Sequence, residues 1–77
     1  MIKDVMNVKI KFGQQIRQLR INLHLSQEEL AYECDLNKNY VSDIERGERN
    51  ISLQSIAKLA KGLKVSLSEL FDFDYQI

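Results

Sequence analysis

Ser26-Gln27-Glu28-Glu29-Leu30-Ala31-Tyr32-Glu33-Cys34-Asp35-Leu36-Asn37-Lys38-Asn39-Tyr40-Val41-Ser42-Asp43-Ile44-Glu45-Arg46-Gly47 reads as two short helices joined by a tight turn. Ser26 followed three residues later by Glu29 is a capping-box pattern, so a helix starts after Ser26 and buries Leu30 and Ala31 before ending at Cys34. Asn37 is a good N-cap for a second helix, on which Val41 and Ile44 face inward, and Gly47 has the left-handed freedom that stops a helix. Between them, Asp35-Leu36-Asn37 is a tight turn, with Asp35 a residue that tolerates left-handed backbone better than most non-glycine residues. Ala31 is small where two steeply crossing helices must approach closely.

The same start signals recur outward from this stretch. Ser52 precedes Leu53, Ile56, Leu59 and Ala60, a helical apolar face with Gly62 near its expected end. Ser66 and Glu69 repeat the capping box before Leu67, Leu70 and Phe71. Upstream, Phe12, Ile16 and Leu19 at i, i+4 and i+7 predict a helix from about Val8 to Asn22, with Gly13 inside it. No proline interrupts the chain, and no apolar alternation of strand length occurs before the extreme C-terminus. The expectation is an all-α, compact five-helix domain spanning 1–77, with its core within 8–72.

The 77 residues allow one modest core, and such a domain gains from dimerisation. There is no apolar run long enough to span a membrane and no secretory-type leader, and the single cysteine, Cys34, cannot form an intrachain disulfide. These features favour the cytoplasm. Cys34 reads as a small core residue, and His24, without partners at ligand spacing, as a loop residue. No metal, cofactor or catalytic constellation is expected, because nucleophile–base pairs, phosphate-cradling glycine loops and ligand clusters are all missing from the pattern.

Two helices joined by such a turn form a helix-turn-helix, at about 27–46, whose second helix lies in the DNA major groove. A helix beginning near Lys38 presents Lys38, Asn39, Ser42 and Asp43 outward, with Arg46 one turn on. Lysine donates to guanine O6 and N7, and asparagine pairs with adenine N6 and N7. Asp43 is suited to accept from cytosine N4 or to repel phosphates at wrong registers. For Ser42 and Asp43 a merely solvated position is an equal alternative. Gln27, Arg46, Arg49 and Asn50 are placed for backbone phosphates, whereas Tyr40 divides between packing and DNA contact.

The net charge is zero, unusual for a nucleic-acid binder, but its distribution is uneven. Residues 1–22 carry Lys3, Lys9, Lys11, Arg17 and Arg20 against Asp4 alone; Glu28, Glu29 and Glu33 follow; then Lys38, Arg46 and Arg49 return. Weak non-specific DNA binding is expected, because that binding is almost wholly electrostatic.

The segments Phe12–Arg20, Leu25–Ala31, Tyr40–Asn50, Ser52-Leu53 and Val65–Phe71 together resemble the xenobiotic-response-element family of helix-turn-helix regulators, which includes the lambdoid phage repressors. Within it, Tyr40-Val41-Ser42 and Glu45-Arg46-Gly47-Glu48-Arg49-Asn50-Ile51-Ser52-Leu53 are most similar to the controller proteins of restriction–modification systems. The resemblance implies a lambda-repressor-like domain that dimerises through its C-terminal helices and binds pseudo-palindromic double-stranded DNA operators. It implies an ion pair between Arg20 and Glu45, bracing the first helix against the third. It also implies regulation of the protein's own promoter and of an endonuclease gene, with RNA polymerase as a further candidate partner.

One departure is His24, where the family usually carries glycine. A phage-type or stand-alone repressor, and an antitoxin-like interaction module, are the alternative readings. The aromatic tail Phe71-Asp72-Phe73-Asp74-Tyr75-Gln76-Ile77 either covers the monomer's own core or contributes to a two-fold interface with Val65, Leu67, Phe71 and Phe73, within a dimerisation region at about 63–77.

Overall fold

Four polar residues set where four of the helices begin. In the computed structural model, which describes residues 2–75, Ser26, Asn37, Ser52 and Ser66 all lie in extended backbone and accept a first-turn N–H on their side-chain oxygens. Ser26 and Ser66 complete reciprocal capping boxes with Glu29 and Glu69. The two Ser26 hydrogen bonds, from its backbone N–H and with its hydroxyl, hold the Glu29 carboxyl below its ordinary pKa. The helices are α1 (Ile2–Asn22), α2 (Gln27–Cys34), α3 (Lys38–Glu45), α4 (Leu53–Leu63) and α5 (Leu67–Leu70), with no strand among the described residues. Met1, Gln76 and Ile77, and with them the last two positions of the expected dimerisation region, lie outside the described residues.

The chain leaves three helices by the same device. His24, Asp35 and Lys64 have φ of 58°, 54° and 60°, the left-handed region that non-glycine residues rarely adopt. In each case the residue after the left-handed one donates its N–H to the carbonyl five positions back: Leu25 to Arg20, Leu36 to Ala31 and Val65 to Ala60. This is the Schellman closure, with Leu25, Leu36 and Val65 as the apolar residues that seal it against the core. His24 thus stands where glycine would be least strained, and the loop keeps its geometry without it.

The core is built from all five helices: Phe12 and Ile16 on α1, Leu30, Ala31 and Cys34 on α2, Val41 and Ile44 on α3, Leu59, Ala60 and Leu63 on α4, and Leu70 on α5. Two glycines let backbones approach. A Cβ on Gly13 would lie 2.3 Å from the Ile44 carbonyl oxygen, which brings α1 directly onto α3. A Cβ on Gly62 would lie 2.2 Å from Cys34 Sγ, so α4 crosses the end of α2 at the same close range. The small side chains of Ala31 and Cys34, both buried, belong to that crossing.

Several expectations are corrected. α1 starts at Ile2 rather than Val8, because nothing in Ile2–Asn7 breaks a helix and the helix therefore runs past its first core residue. Gly62 lies near the end of α4, as expected, but it is Lys64 that takes the left-handed turn. Leu53 is 84% exposed and Leu67 55% exposed, although both continue an apolar helical face. Each follows its capping serine directly, and at that first turn the face runs beyond the edge of the core. Phe71, 47% exposed, lies against Phe12 with ring centroids 5.0 Å apart, and Phe73 is next to it at 6.3 Å.

Candidate nucleic-acid interface

α2 and α3 are joined by Asp35-Leu36-Asn37, with Leu36 turned toward the core and the Asn37 carboxamide oxygen accepting the Asn39 N–H at 2.7 Å. The cap fixes where α3 begins and therefore which side chains stand at its tip. Val41 and Ile44, almost wholly buried, anchor the inner face. Lys38 and Asn39 are exposed at the N-terminal end of the outer face, clear of the core.

The opposite end of α3 is tied down by a buried ion pair. Arg20 Nε and Nη2 donate to Glu45 Oε2 and Oε1 at 2.7 and 3.0 Å, a bidentate pairing. Arg20 Nη1 donates to the Leu25 carbonyl at 2.8 Å, and Gln27 Nε2 donates to Glu45 Oε1 at 3.0 Å. The two charged side chains are only 13% and 4% exposed. This brace links the last turn of α1, the start of α2 and the end of α3, so it sets the angle at which α3 is presented. It also engages the half-buried Gln27 amide, the group expected at a backbone phosphate, in a hydrogen bond to Glu45.

On the outer face of α3 a second arginine–carboxylate network occurs, and this one is open to solvent. Arg46 Nη2 pairs with Asp43 Oδ1, Arg46 Nη1 donates to Ser42 Oγ, and Arg46 Nε donates to Glu48 at 3.2 Å. Arg49 Nε donates to the other Asp43 oxygen at 3.1 Å, and its guanidinium carbon lies 4.8 Å from the Tyr40 ring centroid. Gly47, at φ 76°, turns the chain so that Arg49 can return to Asp43; a Cβ there would lie 2.9 Å from Ile10 Cα.

Of the expected base-reading residues, Lys38 and Asn39 are therefore presented outward, whereas Ser42 and Asp43 hold Arg46 and Arg49. The Tyr40 ring packs on the core edge, one of the two roles expected of it, and lies against Arg49. Asn50 is exposed in the loop beyond. Ser55, which the sequence did not single out, lines the groove beside α3 together with Tyr40, Arg49 and Asn37. As the third residue of a helix it carried no outward signal; only the turn after Gly47 brings it near α3.

The apolar surface lies elsewhere. Val8, Phe12, Ile51, Ile56 and Phe71 line a groove of about 200 Å³ flanked by Lys9, Arg49 and Asn50. Leu67 and Phe71 are exposed, whereas Val65 and Phe73 are half-buried against the monomer's own core. No described helix is long and apolar enough to cross a membrane, and no group of potential metal ligands occurs among the described residues.

Comparison with known proteins agrees with this geometry. The helix-turn-helix family model matches residues 16–70. The control protein C.BamHI of Bacillus amyloliquefaciens is 52% identical over 68 residues, covering 87% of this chain and 84% of that protein. The crystal structure of the restriction–modification controller protein C.AhdI from Aeromonas hydrophila superposes with a TM-score of 0.83 at 48% identity, covering 84% of this chain and 98% of that one. The controller protein C.Esp1396I, solved as a tetramer in complex with its natural 35 base-pair operator, matches with a TM-score of 0.77 at 36% identity, covering 83% of this chain and 84% of that one. The chain belongs to the helix-turn-helix family and, within it, to the controller proteins of restriction–modification systems.

Proposed function

We propose that this protein is a sequence-specific, dimeric DNA-binding transcriptional regulator that controls a restriction–modification operon, including its own promoter. The observation that carries this reading is the braced α2–α3 pair: Glu45 locked to Arg20 at one end of α3, Lys38 and Asn39 presented at the other. Two copies related by a two-fold axis would set their α3 helices about 34 Å apart and read half-sites one helical turn apart. Lys38 and Asn39 supply base contacts; Arg49, Asn50, Tyr40 and Arg46 supply phosphate contacts, and at the start of α2 the backbone N–H groups rather than the Gln27 amide face the DNA.

Dimerisation rests on the exposed apolar residues toward the C-terminus, Leu67 and Phe71. C.Esp1396I binds its operator as a tetramer, and a pair of dimers on adjacent sites is the corresponding assembly here. The role is one of binding, carried out in the cytoplasm by the single domain, with no catalytic step and no cofactor, and with RNA polymerase as the protein partner at the promoter.

Selection from a random DNA library, followed by footprinting and sedimentation of the complex, tests the reading. The expected product is a pseudo-palindromic site occupied by two protomers. A strict monomer at micromolar concentration, free and on DNA, or no enrichment of any sequence, would sink it.

A further inference from the structure

The zero net charge of the chain and the network around Asp43 belong together. Arg46 and Arg49 stand at the outer face and the end of α3, where DNA phosphates would approach. Both guanidinium groups are already held: each Asp43 oxygen accepts from one of them, Ser42 and Glu48 hold Arg46 further, and Tyr40 lies against Arg49. Asp43 is 24% exposed, Arg46 52% and Arg49 47%, so the carboxylate sits below the two cations rather than out in solvent. A base-edge donor reaching Asp43 would have to compete with two arginines for those oxygens.

We propose that Asp43 sets specificity through Arg46 and Arg49: it fixes the position of both guanidinium groups and cancels charge that would otherwise bind phosphates of any sequence. The proposal rests on the DNA-binding reading and deepens it. Non-specific affinity is almost wholly counterion release, so a carboxylate between two arginines subtracts from it directly. On the operator the arginines contribute by being in the right place, and a carboxylate that orients them helps there. The same residue therefore lowers background binding and supports binding in register, and it acts as a positioning residue rather than as a reader of bases.

The experiment is a salt titration of binding to the selected operator and to a duplex of arbitrary sequence, for the wild-type protein, D43N and D43A, each also in an R46A/R49A background. Thermal unfolding of each variant serves as the folding control. For D43N the affinity for arbitrary sequence rises about tenfold at 50 mM salt and a few-fold at 200 mM, steepening the log–log salt slope by about one. Operator affinity changes much less, because gained charge is offset by lost positioning, and the operator-to-background ratio falls. In the R46A/R49A background the same substitution shifts background affinity by less than about twofold, since the groups it acts through are gone. D43A behaves like D43N.

An equal gain in both backgrounds would reduce Asp43 to one uniform charge and overturn the proposal. Selective loss of operator affinity at constant background would overturn it too, by making Asp43 a base reader. Failure of the wild-type protein to bind either duplex would instead overturn the DNA-binding reading itself.

Discussion

Two arginine–carboxylate networks leave α3 in opposite directions, from residues only two apart in sequence. Glu45 points inward to Arg20 and Gln27, and Arg20 in turn donates to the Leu25 carbonyl, in a site where the charged side chains are 13% and 4% exposed. Asp43 points outward to Arg46 and Arg49, where the arginines are about half exposed. The chemistry is the same, and burial separates the consequences. An arginine out of water needs its carboxylate, because the alternative is an uncompensated charge. An exposed one can exchange its carboxylate for water or for a phosphate at little expense. The inner network therefore determines the shape of the reading head, and the outer network is the part free to respond to DNA.

The largest expected effect tests the inner side of that contrast. Glu45→Ala leaves Arg20 buried with the Leu25 carbonyl as its remaining partner and should lower unfolding free energy by about 3–5 kcal/mol, read from urea denaturation. For a domain of this size that is a large share of total stability. Glu45→Gln keeps the shape and one set of acceptors and should lose less. A loss below about 1 kcal/mol for Glu45→Ala would place the brace in the same class as the outer network and remove the distinction.

Burial can be sharpened on a single titratable group. Cys34 lies in the core against Gly62, and burial, then the negative charge of Glu33, pushes its thiol up from 9.0 to about 11. The folded state keeps a proton that the unfolded state releases above pH 9.0, so this contribution is intact below that pH and is lost as pH rises toward 11. The loss runs at up to about 1.4 kcal/mol per pH unit. Other groups titrate there as well, so the measured quantity is the difference between wild type and Cys34→Ala in stability across pH 8–11. No divergence between the two curves would show that the thiol is open to water in the folded state.

The tip of α3 should separate binding from folding altogether. Lys38→Ala and Asn39→Ala should each weaken operator binding by about 1–3 kcal/mol and relax preference at one base pair, with unfolding midpoints unchanged. Unaltered operator affinity in the double variant would move recognition away from this surface.

Much of this arrangement could be read before the structure. Ser26, Asn37, Ser52 and Ser66 mark helix starts by local chemistry, and local chemistry is what a sequence displays. The i, i+3 spacing of Asp43 and Arg46 was also visible, but Arg49 reaches Asp43 only because Gly47 turns the chain left-handed between them. Pairings across such a turn depend on a backbone angle, not on periodicity. The misplacement of Leu53 and Leu67 has a related cause: a helical face says which side is apolar, not how far the core beneath it extends. The pattern places Gln27 at the opening of a helix, but not its partner Glu45, which comes from an element 18 positions away in sequence.

A substitution with little effect on stability tests the outer network most directly. Arg49→Ala removes an ion pair with Asp43 and a guanidinium lying on Tyr40, both at the surface, and should change unfolding free energy by no more than about 1 kcal/mol. Binding should respond in a different currency. Affinity for operator and for arbitrary sequence should fall together, and the log–log salt slope should flatten by up to about one. The flattening should be smaller than for a free surface arginine, since Asp43 already offsets part of the Arg49 charge. A full unit of flattening in wild type, unchanged when Asp43 is replaced by Asn, would show that Arg49 binds DNA independently of Asp43 and that the two arginines are not held as one group.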